Sequence, residues 1–223
     1  MTAWCLRHDD CVLEVGGGIG MVSTMVQQIL VGASKANHVV VEAQKQLCTI
    51  IHQNRLLHHS QFTAHHGALS KAAIYSCAET LLNGEKSKNG REWMFNAISH
   101  VAGEDKVKIP SLTPADLRKS VNTNFTALVV DCEGAFPGIV RDFPQILHGI
   151  RVIYVEQDGD KVEFDALEKK ILKEGLVKVL SAYKHRVYHR VSFSFLRAFL
   201  SYSGNLSLDA RMQARYTPPQ PPP

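Results

Sequence analysis

The sequence predicts an α/β chain built on a largely parallel sheet with helices on both faces, and three observations carry that prediction. Short β-branched runs alternate with longer amphipathic ones through the first half of the chain. The first run closes on a cluster of glycines, and later apolar runs close on single acids. Strand–helix–strand–helix–strand in that order is what a parallel sheet covered on both sides requires.

The elements follow in chain order. Residues 11–15 form a short apolar strand closed by Gly16, Gly17, Gly18 and Gly20. Residues 19–31 place Ile19, Val22, Val26, Ile29 and Leu30 at helical spacing. Residues 38–42 are β-branched and end on Glu42, residues 43–57 carry Leu47, Ile50, Ile51 and Leu57 on one stripe, and residues 62–65 suit a third strand. From 70 to 110 the pattern weakens; residues 73–77 and 93–101 suit short strands or a hairpin around a polar loop at 83–90. Thr113 then has the chemistry of an N-cap, with Pro114 at the first helical position. Residues 127–131 read as a buried strand ending on Asp131, and 136–147 as a helix interrupted at Pro144. Residues 151–156 form a fifth strand, 164–173 a helix, and 176–183 with 187–195 a terminal hairpin at one sheet edge. The proline-rich residues 216–223 suit a disordered or polyproline tail, so the expected organisation is one domain over 1–210 and a tail over 211–223.

Bulk properties narrow the class. The chain has 223 residues, 45% of them hydrophobic and 21% charged, which supports one sizeable core. A formal charge of +4 is too slight and too dispersed for a nucleic-acid binder. Its 5 cysteines form no CxxC pair, and the expectation is reduced, mostly buried thiols. No run has the length of a membrane span and the N-terminus lacks a signal pattern, which makes the cytoplasm the default location.

The glycine loop carries the chemistry. Glycines between a strand and a helix let backbone approach a ligand at the helix N-terminus. A dinucleotide site wants G-x-G-x-x-G, but the third glycine position here holds Met21. S-adenosylmethionine has no pyrophosphate to cradle, so Glu14-Val15-Gly16-Gly17-Gly18-Ile19-Gly20 favours that methyl donor over NAD. Glu42 stands about twenty residues on, where a carboxylate accepts both ribose hydroxyls. Asp131-Cys132-Glu133-Gly134 follows a later strand, at the sheet edge where α/β proteins bind ligands.

With these motifs in order, the chain resembles the FkbM-type methyltransferases, within the class I Rossmann-like S-adenosylmethionine enzymes. The resemblance rests on residues 12–23, 39–44, 67–70, 112–117, 128–135 and 153–156, spanning roughly 11–158. It implies a three-layer α/β/α fold with a seven-stranded, mostly parallel sheet and an antiparallel terminal strand. It also implies methyl transfer to an oxygen of a sugar or other small-molecule hydroxyl. Carried over by position, Glu14, Gly16, Gly18 and Gly20 would line the methionine end of the donor, and Glu42 would bind its ribose. Ala68 and Leu69 would lie near the adenine. Asp131 and Glu133 would face the reaction centre, as the catalytic candidates, with His66 and Glu156 as lesser ones. The chain departs from the family at Gly17, where Asn is usual, at Val130 and Phe136, where polar or acidic residues are usual, and in a leader of only about ten residues before the first strand.

Three competing readings are weaker. The pairs His58-His59 and His65-His66 invite a metal, but adjacent residues of a strand point to opposite faces, and magnesium at Asp131 is not demanded by any spacing, so no metal is expected. The segment 184–190, with Phe193, Phe195 and Arg197 after it, is basic and aromatic as in a nucleic-acid methyltransferase; edge protection of a strand explains it more simply. A non-catalytic scaffold that keeps the fold is motivated by Phe136 and the short leader. The expected partner is therefore a small-molecule acceptor with a hydroxyl group.

Overall fold

Val, Ile and Leu fill the strands of this chain on both sides, as burial of both sheet faces dictates. The structure, a computed structural model, describes residues 5–30, 37–77, 98–99, 106–121 and 123–190. β1 (Val12–Val15) leads through the glycine turn into α1 (Met21–Ile29), then β2 (His38–Glu42), α2 (Lys45–Leu57) and β3 (Thr63–His66). Five short strands follow: β4 (Ala68–Leu69), β5 (Ile74–Cys77), β6 (Ile98–Ser99), β7 (Lys106–Ile109) and β8 (Ser111–Leu112). The remainder comprises α3 (Pro114–Arg118), β9 (Ala127–Val130), α4 (Phe136–Asp142), a 3-10 turn (Pro144–Leu147), β10 (Val152–Glu156), α5 (Lys161–Lys173), β11 (Val177–Ala182) and β12 (His185–His189).

The main sheet has seven strands in the order β11-β12-β10-β9-β1-β2-β3. β10, β9, β1, β2 and β3 pair in parallel, while β12 runs antiparallel to both β10 and β11. The expected mixed sheet is therefore present. Strand alternation sorts its side chains into two layers. Leu13, Val15, Leu128, Val130, Ile153 and Val155 pack with α3, α4 and α5 through Leu117, Phe136, Ile139, Phe164 and Ile171. Val12, Ala127, Val129, Val152 and Tyr154 pack on the opposite face with Val26 and Leu30 of and beside α1.

Local chemistry fixes the element ends. Thr113 caps α3 in a reciprocal box with Asp116, which satisfies two otherwise orphaned amides. Asp160 accepts from the Val162 and Glu163 amides, so α5 begins at Lys161, earlier than the apolar stripe from Phe164 suggests. The glycine turn and Gln44 shorten α1 and α2 relative to their apolar stripes. At the far end of the sheet, Arg151 ties the N-terminal segment down by donating to the Cys5 carbonyl, Asp10 and His189.

One expectation fails in the terminal hairpin. The basic stretch is expected on an edge strand whose charges prevent pairing, but β12 lies between β10 and β11, and β11 is the edge. Val187 and Tyr188 are buried there, and the charged ends meet partners: Lys184 pairs with Asp158, and Arg186 donates to the Tyr183 and His185 carbonyls. The weak region 70–110 contributes a three-stranded antiparallel sheet, β6-β5-β7, in which β7 was not anticipated. The polar loop at 83–90, the segment beyond 190 and the proline-rich tail lie outside the described residues.

Candidate donor and acceptor site

Register builds the site. Val41, Val15, Val130 and Val155 stand side by side across β2, β1, β9 and β10. Gly16, Glu42, Asp131 and Glu156 are therefore the next residues of four neighbouring strands, all at the carboxyl end of the sheet. They open into one cavity of about 630 Å³, within the size range of small-molecule sites. Gly17, Gly18, Gly67, Ala68, Leu69 and Glu133 also line it.

The glycine loop is a cradle that tolerates no side chain at its first position. Gly16 has φ 88°, and a Cβ placed on it would sit 1.7 Å from the Asp131 carbonyl oxygen. The Gly16 amide donates to the Val41 carbonyl at 2.9 Å, and the Asp131 amide to the Val15 carbonyl at 3.0 Å, so β1, β2 and β9 hold the loop from both sides. A Cβ on Gly17 would meet Val40 and Ile51 side chains at 2.5 and 2.7 Å, which explains glycine where a larger residue is usual. Gly20, at φ 84°, starts α1 against Ile51 and is not among the cavity lining.

Glu42 is buried at the cavity wall. It accepts from the Gly18 amide at 2.9 Å and from the Gln44 amide at 2.8 Å, so the carboxylate holds the glycine loop and the start of α2 together. Burial pushes its carboxyl above the ordinary range, and the Gln44, Gly18 and Ala43 amides oppose that shift. Each oxygen retains a further lone pair for a ligand hydroxyl. Beside it, the Gly67 amide donates to the Glu42 carbonyl, and Ala68 and Leu69 are backed by parallel pairing with Ser111 and Leu112.

Glu14 is placed differently from its expected role. Its carboxylate accepts from Ser23 Oγ at 2.8 Å and meets His38 Nε2 at 2.9 Å, and it is not among the cavity lining. Alternation along β1 accounts for this: Glu14 shares the face of Val12, beneath α1. Phe136, standing where the resemblance leads to an acidic residue, is buried in the main core at the start of α4.

One wall of the cavity is acidic. Asp131 and Glu133 follow β9; Glu156 closes β10 and Asp158 follows it, with the same acid-x-acid spacing. Oxygens of Asp131, Glu156 and Asp158 lie within 4.8 Å of one another, the one such cluster of three or more His, Cys, Asp or Glu side chains among the described residues. Within it, the Asp131 and Glu156 carboxyls are close enough to act on each other's charge, and Lys184 pairs with Asp158, so an ammonium already meets part of the charge. Burial, reinforced by acidic neighbours, raises the carboxyls of Asp131, Glu133 and Glu156. Cys132 between them is pushed up to about 12, chiefly by burial, and is no nucleophile near neutrality. Glu133 adopts φ 50°, a left-handed conformation costly for a residue with a Cβ, and Gly134 beside it has φ 82° and packs on the Asp158 carbonyl.

Sequence reasoning missed Asp158 and Lys184. The repeated spacing, Asp131-x-Glu133 and Glu156-x-Asp158, was the available signal. Among the described residues the histidine pairs gather no comparable cluster: His58 and His59 are exposed beyond α2, and His65 is bonded to Ser120 Oγ at 2.9 Å.

No protein-family model matches the sequence, and no curated protein does. Solved structures do match. A methyltransferase FkbM from Methylobacillus flagellatus KT superposes with a TM-score of 0.54 at 12% identity, covering 82% of this chain and 44% of that one. Fibrillarin from Aeropyrum pernix, in complex with natively bound S-adenosylmethionine, gives 0.49 at 8% identity over 86% and 70% of the two chains. A precorrin-6y C5,15-methyltransferase from Geobacter metallireducens GS-15 gives 0.47 at 11% over 86% and 85%. Sheet order and the first of these likenesses agree: the chain has a Rossmann-like methyltransferase fold.

Proposed function

We propose that this chain is an S-adenosylmethionine-dependent methyltransferase acting on the hydroxyl of a small molecule, with sugars as the first acceptors to try. The observation that carries the reading is the row Glu42, Gly16, Asp131 and Glu156 at one level across four strands, opening into one cavity. The backbone at Gly16 leaves room for a ligand where a Cβ could not stand, and Glu42 offers lone pairs to a ribose. When bound, the donor supplies an electrophilic methyl group; the chain supplies alignment, a cavity and carboxylates for the acceptor. Acids around Asp131 repel phosphates, which favours a neutral hydroxyl over a nucleic acid. Lys184 is paired with Asp158 and Arg186 donates to carbonyls of its own hairpin, so the basic stretch adds little to the nucleic-acid reading.

Calorimetry with S-adenosylmethionine and with NAD tests the donor. Binding of the first is expected, weakened about 10- to 100-fold in Glu42→Ala, the size of losing charge-assisted hydrogen bonds. A radiolabelled methyl-transfer screen over saccharides, lipids, phenols and RNA then tests the acceptor. NAD binding in place of S-adenosylmethionine would overturn the reading, and donor binding with no transfer to any acceptor would reduce it to a scaffold.

A further inference from the structure

The closeness of Asp131 and Glu156 is informative in itself: their carboxyl oxygens lie within 4.8 Å of each other and of Asp158. Two carboxylates so close resist ionising together, so the last proton of the pair is held more tightly than that of either acid alone. The sheet enforces the contact: Val130 and Val155 are register partners on adjacent parallel strands, which run about 4.8 Å apart, and the two acids are the next residues of each. Both line the cavity, beside the glycine loop that the donor reading uses.

We propose that Asp131 and Glu156 form a proton-sharing pair that receives the acceptor's hydroxyl proton during methyl transfer, with Asp131 the group that meets the hydroxyl and Glu156 its positioning partner. This rests on the methyltransferase reading above. In the step, an acceptor oxygen lone pair forms the new O–CH3 bond and the S–CH3 bond breaks, its electron pair staying on sulfur as the neutral thioether. With both carboxylates ionised at the outset, the hydroxyl proton passes to Asp131, is shared there with Glu156, and is carried off by water after product release. No further reactant is needed.

The pair suits this task because its last proton is held more tightly than that of a lone carboxyl. Glu133 and Asp158 add negative charge from the loops after β9 and β10, and Glu14 adds more from β1. His185 on β12 opposes them at Glu156, and Lys184 in the β11–β12 turn is spent on Asp158. Arg141 of α4, also at the cavity wall, faces Glu163 of α5 at 3.5 Å. The doubly ionised pair is therefore a stronger base than either acid alone, which is what abstraction from an alcohol calls for.

The test has two independent readouts on the full chain. Carboxyl carbon NMR of 13C-labelled protein, without donor or acceptor, follows the titration of Asp131 and Glu156. One step above the ordinary carboxylate range is expected, lost in Glu156→Gln; titration of both groups in the ordinary range would overturn the pair whatever the chain catalyses. With an acceptor from the screen, kcat should fall about 10- to 100-fold in Glu156→Gln and the acidic limb of kcat/KM should move down by about one pH unit, with Glu156→Asp restoring much of both. A drop in kcat with an unmoved limb would make Glu156 merely structural and overturn the role assigned to it. Activity that requires added magnesium would overturn it too, since a cation between the two carboxylates displaces the shared proton. Failure of the donor to bind, with the high titration step still present, would remove the catalytic role together with the methyltransferase reading while leaving the NMR result as its separate signature.

Discussion

Replacing Gly16 with alanine tests the close approach of β1 and β9 on which the site depends. Two costs add at this position. A residue with a Cβ at φ 88° carries about 1–2 kcal/mol of left-handed strain. The Cβ also falls 1.7 Å from the Asp131 carbonyl oxygen and 2.6 Å from its carbon, both backbone atoms that cannot swing aside. Forcing β9 away from the turn adds overpacking of about 1–3 kcal/mol, for a total of about 2–5 kcal/mol. Two further glycines separate the terms. Gly149 has φ 75° with nothing within 4 Å of its Cβ position, so G149A should cost the strain alone. Gly138 lies within α4, where the nearest atom to an added Cβ is Arg141 Nη2 at 3.5 Å, and G138A should be neutral or stabilising by up to about 1 kcal/mol. Urea unfolding followed by circular dichroism reads all three, and calorimetry reads donor binding, expected to be lost in G16A. If G16A proved no less stable than G149A, the inferred approach of Asp131 to the glycine turn would be wrong.

Glu14→Ala should destabilise the chain by about 3–5 kcal/mol in urea unfolding, because His38 and Ser23 would be left buried without their shared partner; a loss under about 1 kcal/mol would show that Glu14 is not the internal brace described. The acid cluster sets a pH dependence with a definite sign. Asp131, Glu133 and Glu156 have folded-state carboxyls raised above their unfolded values, so the stability they contribute is complete below about pH 4 and is lost as pH rises through the folded values. Glu156→Gln removes one charge from that repulsion. Its melting temperature should match the wild type near pH 4 and exceed it by about 2–4 °C at pH 8, a gain of up to about 1 kcal/mol after allowance for solvent screening. A gap that stays constant across that range would refute the linkage.

What could be read from residue order was whatever one strand or helix decides by itself. Val39-Val40-Val41 can only be a buried strand, Thr113-Pro114 starts a helix by its own chemistry, and Met21 already argued against a pyrophosphate loop. What could not be read depended on which strand lies beside which. The charges of β12 look the same in sequence on an edge as between two strands, so their edge-protecting role was assigned where none is needed. The resemblance carries Glu14 into the donor site, two residues before Gly16, yet the alternation of β1 turns it beneath α1 while the next residue opens the cavity.

The same dependence on neighbours hides the contact between Glu156 and Asp131 from the sequence. Twenty-five positions separate the two residues in the chain, and nothing local ties them. Only the pairing of β9 with β10 in the register Val130–Val155 brings their carboxyls together. A substitution that moved that register by one residue would turn Glu156 to the other face and end the contact while leaving each acid in place. The chemistry assigned to the acceptor side thus resides in the alignment of two strands, and the row of four strand ends, rather than the glycine loop alone, is the unit on which function at this site would have to act.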